Sequence, residues 1–282
     1  MTTHICKNCG NHFTEKICNL CGEKIYSEKH KSIRHLLHEG LHFFTHVDNK
    51  FFKTIRAIFV RPGLLSLTYC NGIRSRYYKP LSLFFIGVVI YLLFPFLPGL
   101  NMSFEANMIN IKAQGLTFIA DLVNYKLDSN NIVLEELARR YNAKSPAFAK
   151  ILLLLIPPLT AVALKLLFFK RRKYFFDHLI LATEASCITL YLIFFIMPLI
   201  FYVTGLLFGL SENTRLTLSG DTVTITASAV YLIIWSIVAF KRFYSIKFMQ
   251  ALLKGVLFLL LHFFIIYVLY KLILFLTILI FI

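Results

Sequence analysis

Hydrophobic residues in this chain form long runs instead of the short amphipathic spacing of a soluble domain. Five runs reach about the 20 residues that a helix needs to cross a bilayer. Proline interrupts or closes several of them, and because proline lacks a backbone donor we expect kinks there. The five predicted spans are approximately 81–100, 148–169, 179–207, 223–240 and 251–282.

Composition agrees with this pattern. Of the 282 residues, 58% are hydrophobic and only 16% are charged, whereas roughly 25% of the residues of ordinary soluble domains are charged. A plain cytosolic globule is therefore excluded. We expect an all-α polytopic helical membrane protein with about five spans, in which residues 80–282 form a transmembrane bundle behind a small zinc-ribbon head.

The charges of the connecting segments predict the orientation of the spans. Residues 1–79 carry 13 Lys/Arg and 5 Asp/Glu and contain no apolar signal sequence, so we expect them in the cytoplasm. The 101–146 loop has a net charge of zero, and the connections at 170–177 and 241–254 are strongly basic. The positive-inside rule then predicts a cytoplasmic N-terminus, an external 101–146 loop and an external C-terminus. A short surface helix is expected at 131–141 in that loop, capped by Asn131.

The first 26 residues contain a cysteine pattern typical of a metal site. Cys6, Cys9, Cys18 and Cys21 form two C-x2-C pairs, each followed by glycine. Four thiolates at this spacing favour one structural zinc ion with no open position for catalysis. Two disulfides are the alternative, which a reducing cytoplasm disfavours, and iron is another possible metal.

Residues 27–79 are predicted to form a basic amphipathic segment lying on the inner membrane surface. Its polar face carries a histidine stripe of His35, His38, His42 and His46. The stripe has three interpretations, namely a solvated or headgroup-facing side, a pH-sensitive contact or a second metal site.

The end of this segment interleaves basic and tyrosine side chains, an arrangement that suits anionic lipid headgroups and also suits a simple membrane anchor. The candidate headgroup contacts are Tyr69, Arg74, Arg76 and Lys79.

Three ionisable residues within the predicted spans are candidates for function, because charges are costly at membrane depth. They are His178, Glu184 and His262. Glu184 most needs a partner, for which His262 and Arg74 are the candidates. A structural pair between helices, a proton or substrate relay and interfacial exposure are the open interpretations.

The chain also resembles a known family, the uncharacterised bacterial membrane proteins catalogued as domain of unknown function 3667. The resemblance implies a bacterial inner-membrane location and brings no established activity. Glu184 stands where the family often has a second histidine six residues after the position of His178. Beside the Cys-Gly knuckles, the resemblance rests on Thr54, Arg61-Pro62-Gly63, Tyr69-x2-Gly72-x-Arg74-x-Arg76-Tyr77-x2-Pro80 and Tyr174-x3-His178-Leu179.

Two functional hypotheses remain open. No nucleophile elbow, P-loop, dinucleotide fingerprint or metalloprotease helix is present, so we expect no enzyme. The first hypothesis is a scaffold whose zinc head recruits or senses an unknown protein partner. The alternative is a transporter or lipid-handling protein with a polar site involving Glu184 and His262. Nucleic acid is not expected, because the basic residues cluster near the bilayer and not on a recognition helix.

Overall fold

A computed structural model describes residues 3–25, 49–93, 102–113, 115, 117–130, 132–172, 174–214 and 221–282. These residues form two short strands and a series of helices, which confirms the predicted all-α membrane class with a small cysteine-containing head. The predicted stripe of His35, His38, His42 and His46 lies outside the described residues.

Strands β1 (His4–Ile5) and β2 (His12–Phe13) pair antiparallel in the head. The helices that follow are α1 (Asn49–Val60), α2 (Leu64–Cys70), α3 (Pro80–Leu93), α4 (Phe104–Ala113), α5 (Thr117–Asn130), α6 (Leu134–Leu152), α7 (Ile156–Leu167), α8 (Phe175–Tyr191), α9 (Met197–Leu207), α10 (Asp221–Tyr244), α11 (Phe248–Phe264) and α12 (Tyr270–Phe281).

Four of the five predicted spans correspond to helical stretches that are long and apolar enough to cross a membrane. The remaining predicted span, at 81–100, is the first along the chain. Its residues 81–93 lie in the apolar helix α3, and its residues 94–100 lie outside the part of the chain that is described. The four long stretches are Leu134–Leu167, Phe175–Leu207, Val223–Tyr244 and Phe248–Phe281.

Proline disturbs the helices where the sequence predicts it. Leu153–Leu155 forms a 3₁₀ turn between α6 and α7, because Pro157 has no N–H to donate to the Leu153 carbonyl four residues earlier. A π-helical turn at Leu192–Ile196 likewise precedes Pro198.

The 101–146 segment is more helical than predicted. The surface helix expected from 131 begins at Leu134, after Val133 as N-cap, and continues to Leu152. Helices α4 and α5 were not predicted, because their apolar residues show little preference for one face.

The chain divides into two compact units, Met1–Tyr91 with Pro157–Leu261 and Leu92–Ile156 with His262–Ile282. Helix α8 is the centre of the first unit, since every residue from Phe176 to Tyr191 is buried. Such burial on all sides is the property of a core helix.

The second unit has an aromatic core. The rings of Phe104, Tyr141 and Phe275 lie 5.3–5.8 Å apart between their centroids. The ammonium groups of Lys126 and Lys144 donate to the carbonyls of Leu279 and Phe281, at 2.8 Å and 2.7 Å. These lysines satisfy carbonyls that the last turn of α12 leaves free.

Of the segment predicted to lie on the membrane surface, the structure describes residues 49–79, which contain α1, α2 and the loop before α3. Helix α2 is packed into the first unit, and its Leu65, Ser66, Tyr69 and Cys70 are buried. The Tyr69 ring stacks on that of Phe176 in α8, with centroids 6.3 Å apart. Burial against the bundle, and not against lipid, therefore accounts for these apolar positions.

Candidate functional site

The cysteine head consists of two similar turns. In the first, Gly10 N donates to Cys6 O at 2.9 Å and Cys6 N donates to Asn11 O at 2.8 Å. In the second, Gly22 N donates to Cys18 O at 2.9 Å. Gly10 and Gly22 have φ of 77° and 72°, the left-handed conformation that glycine adopts without strain. This explains why each cysteine pair is followed by glycine.

The two turns bring four sulfurs to one point. The Sγ atoms of Cys6, Cys9, Cys18 and Cys21 all lie within 4.8 Å of one another. Cys6 Sγ is 3.5 Å from Cys21 Sγ, and Cys9 Sγ is 3.7 Å from Cys18 Sγ. A tetrahedral ion with metal–sulfur bonds of about 2.3 Å needs sulfurs about 3.8 Å apart. The four cysteines therefore fit a metal ion, and the predicted ligand set is brought together.

Backbone donors in the second turn favour a thiolate. Burial opposes ionisation of the Cys18 thiol, but hydrogen bonds from the backbone of Cys21 and Leu20 lower its pKa to about 6. Cysteine binds metals as the thiolate, so these backbone donors favour the metal-binding form of Cys18.

The head is joined to the membrane-proximal chain by Glu23, two residues after the last cysteine. Its carboxylate accepts hydrogen bonds from Arg74 N at 3.1 Å, Ser75 N at 2.9 Å and Ser75 Oγ at 2.6 Å. Asn8 Nδ2 adds a bond to Ser75 Oγ at 3.0 Å. Glu23 is only 4% exposed. We call this contact the Glu23 latch, and it makes the head part of a packed unit.

Helix α1 and the chain before α3 are tied together by Thr54. Its hydroxyl donates to Lys50 O at 2.6 Å and accepts from Tyr78 N at 2.8 Å. Thr54 is fully buried. Thr54 is one of the residues on which the family resemblance rests. These two hydrogen bonds show that it fixes the 71–79 loop against α1.

Glu184 binds the start of helix α2. One carboxylate oxygen accepts from Gly63 N at 2.9 Å, and the other accepts from Ser66 N at 2.9 Å and from the Ser66 hydroxyl. The first N–H groups of a helix have no partner within it. Glu184 supplies that partner and adds negative charge at the positive end of the helix.

The hydrogen bonds described for Glu184 are with Gly63 and Ser66, where the sequence predicted Arg74 or His262 as partner. Arg74 lies with its guanidinium carbon 4.5 Å from the centre of the Tyr69 ring. His262 is buried, with 1% of its surface exposed. The sequence could not identify Gly63 and Ser66, because backbone donors leave no signal in residue type.

The Arg61-Pro62-Gly63 turn allows α2 to approach α10 closely. Gly63 has φ of 72°, and a Cβ atom there would lie 3.0 Å from the backbone of Ala239. Arg242 donates to Pro62 O, and Trp235 Nε1 donates to Ile58 O at 3.0 Å. Helix α10 thus holds both sides of the turn.

His178 is buried and bound within the first unit. Its Nδ1 lies 2.8 Å from the Tyr244 hydroxyl and its Nε2 lies 3.3 Å from Arg172 O. Both ring nitrogens are engaged with groups of this chain, which is the arrangement of a structural histidine.

Two of the four candidate headgroup residues are buried within the protein. Tyr69 is 2% exposed and Arg74 is 6% exposed, and the headgroup contacts stay a prediction. Arg76 is exposed and Lys79 is half-buried. The residues that sequence reasoning missed are Glu23, Ser66 and Arg242, all of which act through contacts distant in sequence.

These features define a class, a multi-pass helical membrane protein with a cysteine cluster that could bind a metal. Residues 48–92 match the model of the family described as protein of unknown function (DUF3667). The matched segment contains α1, α2 and most of α3, and the match confirms the resemblance seen in the motifs between Thr54 and Pro80. No curated protein and no solved structure matches the chain.

Proposed function

We propose that the protein is a non-enzymatic scaffold of a bacterial inner membrane, whose zinc head recruits or senses a protein partner. Four thiolates complete a tetrahedron around zinc and leave no position for a substrate. The ion then contributes folding free energy to a head too small to build its own core.

The Glu23 latch carries this proposal. A head on a free tether would not fix the position of a bound partner. A head held by three hydrogen-bond donors, namely Arg74 N, Ser75 N and Ser75 Oγ, presents one surface beside the membrane segment. The strongly basic 1–79 region supports a cytoplasmic orientation of this surface.

The exposed side of the head supplies a surface suited to a partner. Ile5 is 65% exposed and Leu20 is 71% exposed. A protein partner bound to the head would remove such apolar side chains from water, which is favourable.

A photocrosslinking residue at Leu20 in the full-length protein tests the proposal in intact cells. We expect a discrete protein adduct from Leu20, absent when the same residue replaces Phe169, which is also exposed. The adduct should disappear in a Cys18→Ser, Cys21→Ser variant, because the head then loses its metal.

An adduct that is unaffected by loss of the cysteines would contradict the proposal. So would a cellular role that survives deletion of residues 1–26 and is lost in His262→Ala. The latter result would favour the transporter or lipid-handling alternative.

A further inference from the structure

A cavity of about 290 Å³ lies between helix α1 and the 71–79 loop, outside the cysteine site. Four of its lining side chains are basic, namely Lys53, Arg56, Arg61 and Arg76. Ala57, Val60 and Tyr77 complete the lining. None of the described lining side chains is acidic, so the lining concentrates positive charge.

The segment that forms the cavity is strongly basic. Residues 49–93 contain seven Lys/Arg and no Asp or Glu. Among the described residues, none of the four basic lining side chains forms an ion pair. Four like charges around one cavity repel each other, and a bound anion would remove that repulsion.

The cavity is held open by buried contacts. Tyr77 is 8% exposed, and the Lys53 ammonium and the Arg76 guanidinium carbon each lie 5.7 Å from the centre of its ring. The neighbouring Tyr78 N is bound to Thr54 Oγ1 at 2.8 Å, which joins the loop to α1. Binding would therefore require little rearrangement of the backbone.

Apolar groups surround the basic cavity. On α1, Phe52 is 69% exposed and Val60 is 67% exposed. The apolar helix α3 begins at Pro80, three residues after Tyr77. A cationic cavity bordered by exposed apolar side chains suits an anionic group at a membrane surface.

We propose that this cavity binds a phosphate group, carried by an anionic phospholipid or free in solution. Arginine guanidinium groups match phosphate oxygens in charge and in geometry. Arg56, Arg61 and Arg76 supply them from α1, from the turn after it and from the loop. The site is distinct from the cysteine cluster and does not depend on the scaffold proposal.

Calorimetric titration of the full-length protein in a neutral detergent tests this proposal. The probes are phosphatidylglycerol, phosphatidylcholine and sodium phosphate at constant ionic strength. Trp235, the single tryptophan, adds a local readout, because its Nε1 donates to Ile58 O beside the cavity residue Ala57. Saturable binding of phosphatidylglycerol alone identifies a lipid headgroup, and saturable binding of sodium phosphate identifies a free phosphate.

Three double variants, two of which lower the net charge by the same amount, show whether the cavity is responsible. Arg56→Gln with Arg76→Gln should weaken binding about 30-fold, since each basic group near an anionic surface contributes about 1 kcal/mol and 1.4 kcal/mol is tenfold. Arg56→Lys with Arg76→Lys should weaken it only a few-fold. Lys170→Gln with Arg171→Gln, at another exposed basic site, should leave it unchanged.

The proposal is overturned if neither phosphatidylglycerol nor sodium phosphate binds saturably, or if phosphatidylcholine binds equally well. Equal weakening by the cavity pair and by the Lys170 and Arg171 pair would also overturn it, because the attraction would then come from net charge. Thermal unfolding and gel filtration of each variant establish that a loss of binding is not a loss of fold.

Discussion

At the residue scale, Glu184 acts as a cap for a helix that lies more than a hundred positions earlier in the chain. Its carboxylate is fully buried and accepts from Gly63 N, Ser66 N and the Ser66 hydroxyl. These bonds offset the free energy of burying the carboxylate. The intramembrane charge that the sequence marks as functional thus has a structural role in the first unit.

The substitution Glu184→Gln should lower the free energy of unfolding by about 2 kcal/mol, because the amide has one acceptor oxygen and its NH2 group would face a backbone donor. Thermal unfolding in detergent measures the change. Glu136→Gln is the control, since Glu136 pairs with the exposed Arg139 and Arg140, and such pairs contribute about 1 kcal/mol or less. Equal losses in the two variants would contradict the capping role.

Glu23→Gln should release the head from the loop while the cysteines still bind metal. Charge-assisted hydrogen bonds contribute about 1.5–3 kcal/mol, so the amides of Arg74 and Ser75 should exchange with deuterium at least about tenfold faster. Glu15→Gln changes an exposed carboxylate of the same head and should leave this exchange unaltered. Unchanged exchange in Glu23→Gln would mean that the latch does not hold the loop.

The residues that could be predicted from sequence are those whose signal is local. Cys6, Cys9, Cys18 and Cys21 are identified by spacing and glycine alone, and the structure brings their sulfurs together. Glu23 and Glu184 act on backbone groups 51 and 121 positions away. A single sequence contains no periodicity that relates such positions, so neither contact could be predicted.

At the element scale, the close approach of α2 and α10 depends on Gly63. We expect Gly63→Ala to be strongly destabilising, by about 3 kcal/mol, because the left-handed φ is strained for alanine and the new Cβ would lie 3.0 Å from the Ala239 backbone.

Gly209→Ala provides the matched control for Gly63→Ala. Gly209 has φ of 64°, but nothing lies within 4 Å of the position of its Cβ. The control should therefore be destabilised by only about 1 kcal/mol, from backbone strain. Similar melting temperatures for the two variants would show that the approach of the helices is looser than described.

The lengths of the hydrophobic runs were sufficient to predict the four long apolar helices. A run of about 20 apolar residues indicates a membrane span by its composition alone. Helix α2 was harder to predict, because its seven residues resemble a membrane-surface segment in polarity. Its burial depends on Glu184 and on packing against the buried helix α8. Such tertiary contacts decide between a surface helix and a core helix of the same composition.

At the scale of the whole molecule, the charges of the connections predict which ends face the cytoplasm. A cysteine introduced by Ser129→Cys should react with an impermeant maleimide on intact cells, and Ser245→Cys should react only after permeabilisation. The basic residues Lys241, Arg242 and Lys247 near Ser245 are the reason. The reverse pattern of labelling would contradict the cytoplasmic orientation of the head.

The most direct test of the central claim, that the four cysteines hold one zinc ion, is the metal content of the protein. We expect elemental analysis of the purified full-length protein to give about one zinc per chain, because four thiolates complete a tetrahedral site. The Cys18→Ser, Cys21→Ser variant should contain almost none. One equivalent of zinc in that variant would contradict the claim. It would favour a zinc site in the stripe of His35, His38, His42 and His46 instead.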